Sequence, residues 1–289
     1  MTSTPDHAGP DIAVTGATGR LGGRIARRLA AAGIPQLMVV PQPERAPQLP
    51  GAVAVRGRFG DPDVAEALQG VDRLFMVSAS EAPDRLRQHK AFVDAAVQAE
   101  VGHLVYLSFF RAAPDATFTL ARDHWATEEY IRASGLPFTF LRDNLYADFM
   151  PALVGPDDIV RGPAGQGRAA VVAQDDIADA AVAVLGNAPE HAGSTYDLTG
   201  PQSLTLEAIA AILSENTGST ITYQPETVEE AYRSRASYGA PQWQIDAWVS
   251  TYTAIEAGEL DGVSDAVPRL TGHAATPLAE VVRAGSGRG

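Results

Sequence analysis

The chain has 289 residues, enough to bury a substantial core, and no cysteine, which excludes disulfides, thiolate catalysis and cysteine-based metal sites. A formal net charge of −13 argues against a nucleic-acid or anionic-membrane partner. No window approaches the ~18 apolar residues of a membrane span, and Met1 to Pro10 has neither a basic region nor an apolar core, so it is expected to be a disordered leader on a cytoplasmic protein.

In chain order, Ile12 to Val14 is short, apolar and β-branched, the composition of a buried strand. The run breaks on Gly16 and restarts at Arg20 as a helix, with Leu21, Ile25, Leu29 and Ala32 on one face and Gly33 closing it. Strand, glycine turn and helix together make a phosphate site: the turn lets backbone N–H groups approach a pyrophosphate, and the helix N-terminus adds its dipole. Gln36–Val40, Gly51–Arg56 and Val71–Val77 read as the next strands, the last ending in Ser78-Ala79-Ser80, with a short helix running to Leu68 between the third and fourth. A helix over about 84–100 should turn Leu86, Phe92, Val93, Ala96 and Val97 inward. His103–Leu107, a helix over Thr119–Ser134, and a sixth strand, Pro137–Arg142, complete the half. Strands separated by such helices must be parallel with right-handed crossovers, so the fold is α/β, a doubly wound parallel sheet of the Rossmann type, with ligands beyond the carboxyl ends of its strands.

Beyond Met150 the pattern changes to short strands (Ala169–Ala173, Ser194–Leu198, Ile221–Tyr223) alternating with helices (Ile177–Leu185, Thr205–Thr217, Val228–Ala236, Pro241–Ala257). Asp175 or Asp176 is the better N-cap candidate and Thr205 the weaker one. The six histidines, His7, His89, His103, His124, His191 and His273, show no metal-ligand spacing, so no metal is expected.

Thr15-Gly16-Ala17-Thr18-Gly19-Arg20-Leu21-Gly22 resembles the nucleotide loop of the NmrA-like group of atypical short-chain dehydrogenases, and in pattern the bacterial type-2 NAD(P)H:quinone oxidoreductases within it. Gly162–Arg168, Asp175–Ala178, Tyr196–Pro201 followed by Leu206–Ala210, and Tyr252–Leu260 are similar to the C-terminal lobe of that family, so the resemblance runs in order from residue 11 to 283. It implies a leader at 1–10, an NAD(P)-binding Rossmann domain at 11–150, a smaller mixed α/β substrate lobe at 151–283 with some chain returning to the sheet, and a flexible tail at 284–289.

The expected cofactor contacts are Gly16, Ala17, Thr18, Gly19, Arg20, Leu21 and Gly22 in the loop, Gln42 and Arg45 past the second strand, Ser78, Ala79 and Ser80 past the fourth, and Asn144 past the sixth. The acid that binds the ribose 2′-hydroxyl in NAD-selecting folds is replaced by Val40-Pro41-Gln42. Arg20 and Arg45 can supply charge for a 2′-phosphate, or are ordinary surface arginines; family members often carry Arg where Pro41 stands. NADP(H) is favoured and NAD(H) is allowed.

The lone lysine, Lys90, has Leu86 four residues before it, so a Tyr-x-x-x-Lys pair is absent, as is Gly-x-Ser-x-Gly. In its place stand His124 and Glu128, one helical turn apart, and the type-2 quinone reductases likewise place a His and a Glu in this segment. Either they are a catalytic pair, or His124 caps or packs and Glu128 is a solvated partner. Asp143 and Tyr146 follow the sixth strand in a turn that, in the family, brings polar groups toward the nicotinamide. Ser108 matches the family's usual Ser/Thr position or is a satisfied strand-end hydroxyl. Phe109, Phe110 and Phe149, with Tyr146, are the expected apolar walls for a planar substrate. The resemblance therefore implies an NAD(P)H-dependent oxidoreductase passing hydride to a quinone, enone or other small carbonyl acceptor, a homodimer being allowed and nucleic acid and membrane left out. The alternative is a non-catalytic NADP(H)-binding redox sensor of the NmrA type.

Overall fold

The computed structural model describes residues 9–61 and 63–286; the leader up to residue 8 and the tail from residue 287 lie outside them. The elements are β1 (Ile12–Thr15), α1 (Arg20–Ala31), β2 (Gln36–Val40), β3 (Ala52–Arg56), α2 (Val64–Ala67), β4 (Arg73–Met76), α3 (Arg85–Gln98), β5 (His103–Phe109), α4 (Thr119–Ser134), β6 (Phe138–Asp143), β7 (Ile159–Gly162), β8 (Arg168–Ala169), α5 (Gln174–Gly186), β9 (Thr195–Leu198), β10 (Leu204–Thr205), α6 (Leu206–Thr217), β11 (Thr222–Pro225), α7 (Val228–Ala236), α8 (Gln242–Glu256), α9 (Ala266–Thr271) and α10 (Leu278–Ser286).

Seven strands form one sheet in the order β3-β2-β1-β4-β5-β6-β9. The pairs β1–β2, β1–β4, β2–β3 and β4–β5 are parallel, and the amide of Phe140 donating to Ser194 O and that of Asn144 to Leu198 O carry the parallel pattern on to β9. The sheet is the doubly wound one expected, with β9 as the strand that returns to it late in the chain. Short two-stranded pairings, β7 with β11 and β8 with β10, lie outside it.

Of the described residues, one compact unit takes those up to Leu107 with Thr127–Phe140 and Ala178–Thr195; the other takes Ser108–Ala126, Leu141–Ile177 and Tyr196 onward. Both units are discontinuous, whereas the chain pattern suggests a single division at Met150. The first is built on Phe75, Leu104, Tyr106 and Phe140, buried because a parallel strand is covered on both faces, with Phe92 of α3 packed into the same core. The second has its own core, in which α10 lays Leu278 and Val282 against Leu206, Ile209 and Leu213 of α6. Residues 284–286, expected in a flexible tail, continue α10.

Several local expectations are corrected. α3 buries Phe92, Val93 and Ala96 as expected, but Leu86 is only half-buried and Val97 is exposed, while Arg85, His89 and Ala95 join the buried face. Asp175 and Asp176 lie inside the first turn of α5, while Thr205 caps α6 by accepting from the Ala208 amide at 3.1 Å. Of the expected strand Ala169–Ala173 only Ala169 pairs in a ladder, with Arg168 before it; Val172 instead donates to Leu145 O and accepts from the Ala147 amide. Among the described residues no helix is long and apolar enough to cross a membrane.

Candidate active site

The glycine turn belongs to the first unit. Gly16 is at φ +66°, a conformation glycine adopts without strain, and accepts from the Gly19 amide at 2.8 Å. A Cβ on Gly22 would meet Gly16 O at 2.4 Å and Thr15 O at 2.7 Å, so this glycine lets the start of α1 press on the end of β1. Gly19 differs: it is exposed, has φ −91°, and an added Cβ would meet nothing closer than Gly16 O at 3.2 Å. Gly19 is also the N-cap of α1, with no side chain bonded to the cap and no acid in the first turn. The first-turn amides of a twelve-residue helix thus meet a bare, glycine-lined approach, which suits a diphosphate. Thr18 and Arg20 are exposed beside it, while Ala17 and Leu21 point into the core.

The same unit places the next strand end against this turn. Thr15 Oγ1 accepts from the Val77 amide at 2.8 Å, and a Cβ on Gly16 would stand 3.4 Å from Val77 Cβ. Ser78 and Ala79 are half-buried and Ser80 is exposed. Past β2, Arg45 Nη1 donates to Gln42 Oε1 at 3.0 Å, so these two exposed side chains act as one polar group where an acid would select NADH. Glu44 is exposed in the same turn, so the fit to NADP(H) rests on the Arg45 and Gln42 donors.

Two residues with no role in the expectations from sequence hold the loop after β4. The Ala79 amide donates to His89 Nε2 at 2.9 Å, and Arg85 Nε donates to Ala79 O at 2.9 Å. Burial, with the Arg85 charge beside it, pushes the His89 pKa down to about 3. The signal was present in the sequence as Arg85 and His89, four apart, in line with Phe92, Val93 and Ala96 on one helical face.

Glu128 is fully buried in this unit and bridges Arg132 at 3.1 Å, with the Arg132 guanidinium also lying over the Phe140 ring. The solvated Glu128 of the bland alternative is therefore corrected, and its charge is already compensated.

The second unit carries the remaining candidates. Ser108 is fully buried. Phe109 and Phe110, expected as pocket walls, are core residues: Phe109 packs edge-on to Phe118 at 4.9 Å between centroids. His124 is buried with its ring 6.1 Å from that of Phe109. Asp143 is buried, and its carbonyl accepts from the Phe110 amide. Asn144, an expected cofactor contact, is a turn anchor: its Nδ2 donates to Leu260 O at 3.0 Å and its Oδ1 accepts from the Leu145 amide at 2.8 Å. Tyr146 is half-buried and Phe149 is 52% exposed, which makes Phe149 the aromatic of this set that offers a free face. Among the described residues no group of His, Asp and Glu is placed to hold a metal ion.

The NmrA-like family matches residues 10–256. The chain belongs to the NmrA-like family. An NAD(P)H azoreductase of Xenophilus azovorans is 31% identical over 282 residues, covering 94% of this chain and 97% of the relative. An Escherichia coli NADPH-dependent quinone oxidoreductase, solved with NADPH, superposes with a TM-score of 0.85 at 32% identity, covering 94% of this chain and 98% of that one. The triphenylmethane reductase of Citrobacter sp., solved with NADP(H), gives a TM-score of 0.84 at 32% identity, covering 94% and 99%.

Proposed function

We propose that this NmrA-like protein is an NADPH-dependent oxidoreductase that reduces a quinone-type or similarly activated planar acceptor. The carrying observation is the uncapped glycine turn at the start of α1, in a chain that aligns nearly end to end with NADPH-dependent reductases. The bound dihydronicotinamide supplies the hydride. Gly16–Gly22 receive the diphosphate, Arg20, Gln42 and Arg45 read the 2′-phosphate, and Val77–Ser80 line the approach. In the second unit, Phe149 and Tyr146 offer the apolar contact and His124 is assigned the proton for the reduced acceptor, with Tyr146 or water as its competitor. Little acid–base help is needed, because a quinone's own electronics drive the reduction. This accounts for a site without the Tyr-Lys pair. Azo and triarylmethane acceptors, named for the relatives, are the next class to try. The non-catalytic sensor gains no support from relatives near 30% identity, since those are named as reductases. The reading extends to a protein with no nucleic-acid partner, from the net charge of −13, and to the cytoplasmic location expected from the sequence.

The test is NADPH oxidation followed at 340 nm with simple benzoquinones. Turnover that requires both protein and quinone supports the reading; NADPH binding without turnover on any quinone, azo dye or enone sinks it in favour of a sensor.

A further inference from the structure

We propose that His89 is a positioning residue for the cofactor: it holds the Ala79 peptide, through one fixed ring tautomer, in the orientation that NADPH binding requires. The proposal rests on the glycine-turn reading above and adds a residue that never needs to touch the cofactor.

β4 ends at Met76, so the residues after it have no ladder to satisfy their backbone groups. Side chains replace the ladder. Thr15 takes the Val77 amide, His89 takes the Ala79 amide, and Arg85 donates to the Ala79 carbonyl. Val77, two residues before Ala79 in this loop, lies against Gly16, the residue on which the diphosphate turn pivots. His89 is fully buried and Arg85 nearly so. Burying polar and charged groups to fix the backbone of two loop residues, Val77 and Ala79, is expensive unless the loop's position matters.

The ring's state follows from its partners. A backbone amide can only donate, so Nε2 must be unprotonated and the ring proton must sit on Nδ1. Thr127 Oγ1, 2.9 Å from Nδ1, is the acceptor that selects this tautomer, and the Tyr106 hydroxyl stands 3.5 Å from the same nitrogen. Protonating Nε2, by charging the ring or by switching tautomer, would set two donors against each other and release Ala79.

Three variants test this. His89→Leu removes the acceptor of the Ala79 amide. His89→Gln returns an acceptor at the same reach. Phe92→Leu, on the same helix, loosens the packing on Phe59, whose ring stacks on Phe92 at 4.4 Å and lies 5.9 Å from that of His89, but removes none of the hydrogen bonds to Ala79. Calorimetric NADPH affinity is read beside urea unfolding. His89→Leu should weaken NADPH about tenfold, the scale of losing one such positioning hydrogen bond. His89→Gln should recover most of that loss, and Phe92→Leu should bind as the parent despite lower stability. If His89→Leu does not fold, Thr127→Val replaces it: ¹⁵N shifts of the ring should then show Nδ1 losing its proton, with affinity falling in parallel. Parent-like affinity in His89→Leu or, in its place, in Thr127→Val, an equal loss in Phe92→Leu, or no recovery in His89→Gln overturns the proposal. If the parent protein binds no NADPH, or binds it undiminished in Gly19→Val, the glycine-turn reading itself falls and takes the proposal with it.

Discussion

Gly19 and Gly22 sit three residues apart in one turn, yet substitution should separate binding from stability. On Gly22 a new Cβ would be 2.4 Å from Gly16 O, 2.5 Å from Gly16 C and 2.7 Å from Thr15 O. All three obstacles are backbone, and contacts of this kind relax near 3.5 Å, so the helix start must retreat by about 1 Å. Such overpacking costs about 1–3 kcal/mol, with no rotamer to relieve it. Gly19→Val meets only Gly16 O at 3.2 Å, keeps its amide bond to that oxygen and has φ −91°, which any residue accepts. Its stability change should stay within about 1 kcal/mol, the N-cap preference of glycine over valine. Its side chain, however, stands on the exposed approach to the α1 amides, so NADPH affinity should fall at least about tenfold, equivalent to about 1.4 kcal/mol. Urea midpoints and calorimetric dissociation constants on Gly19→Val and Gly22→Ala make the comparison. Undiminished affinity in Gly19→Val means the diphosphate does not bind at this turn. A parent-like urea midpoint in Gly22→Ala means the helix does not press on β1 as described.

NADPH should bind more tightly than NADH, and Arg45→Ala should remove much of that difference while leaving NADH affinity unchanged; equal dissociation constants for the two cofactors in the parent protein would show that neither Arg45 nor Arg20 reads the 2′-phosphate. His124→Gln should slow an enone substrate, by up to about 10²–10⁴ where proton transfer limits, and a quinone much less, because the quinone product is a far weaker base. Parent-like rates on both acceptors would leave His124 as a packing residue beside Phe109. His89 makes stability depend on pH in a stated direction: its pKa falls from the model-peptide value of 6.5 to about 3 on folding, so the unfolded chain binds the extra proton. The contribution is complete above the unfolded value and is lost as pH drops from about 6.5 toward 3, at up to about 1.4 kcal/mol per pH unit. Urea unfolding between pH 6.5 and 5, above most carboxylate titrations, should therefore be flatter in His89→Gln than in the parent, and identical slopes would mean that the ring is accessible to protons in the folded state.

Sequence alone determined the elements whose signals are local. β2 runs Gln36–Val40 and α4 runs Thr119–Ser134 as read from the chain, because a bounded apolar run and a helical period need no knowledge of their neighbours. The same is true of the glycine turn, where spacing, flanking strand and following helix are all contiguous. Tertiary structure decided what each polar group does. The helical period puts His89 on the buried face of α3, but only the tertiary structure brings the Ala79 amide to its Nε2, because that loop's position is set by the sheet it leaves. Asn144 and Glu128 look like site residues in a linear reading, yet Leu260 O and Arg132 claim them, one from far along the chain and one from the next helical turn. Val171–Ala173 kept its apolar burial but found its partner in the loop around Tyr146, since an apolar run specifies that it will be covered and not by what. β7 went unnoticed because its main ladder is with β11, some sixty positions later, and such long-range pairings carry no local signature.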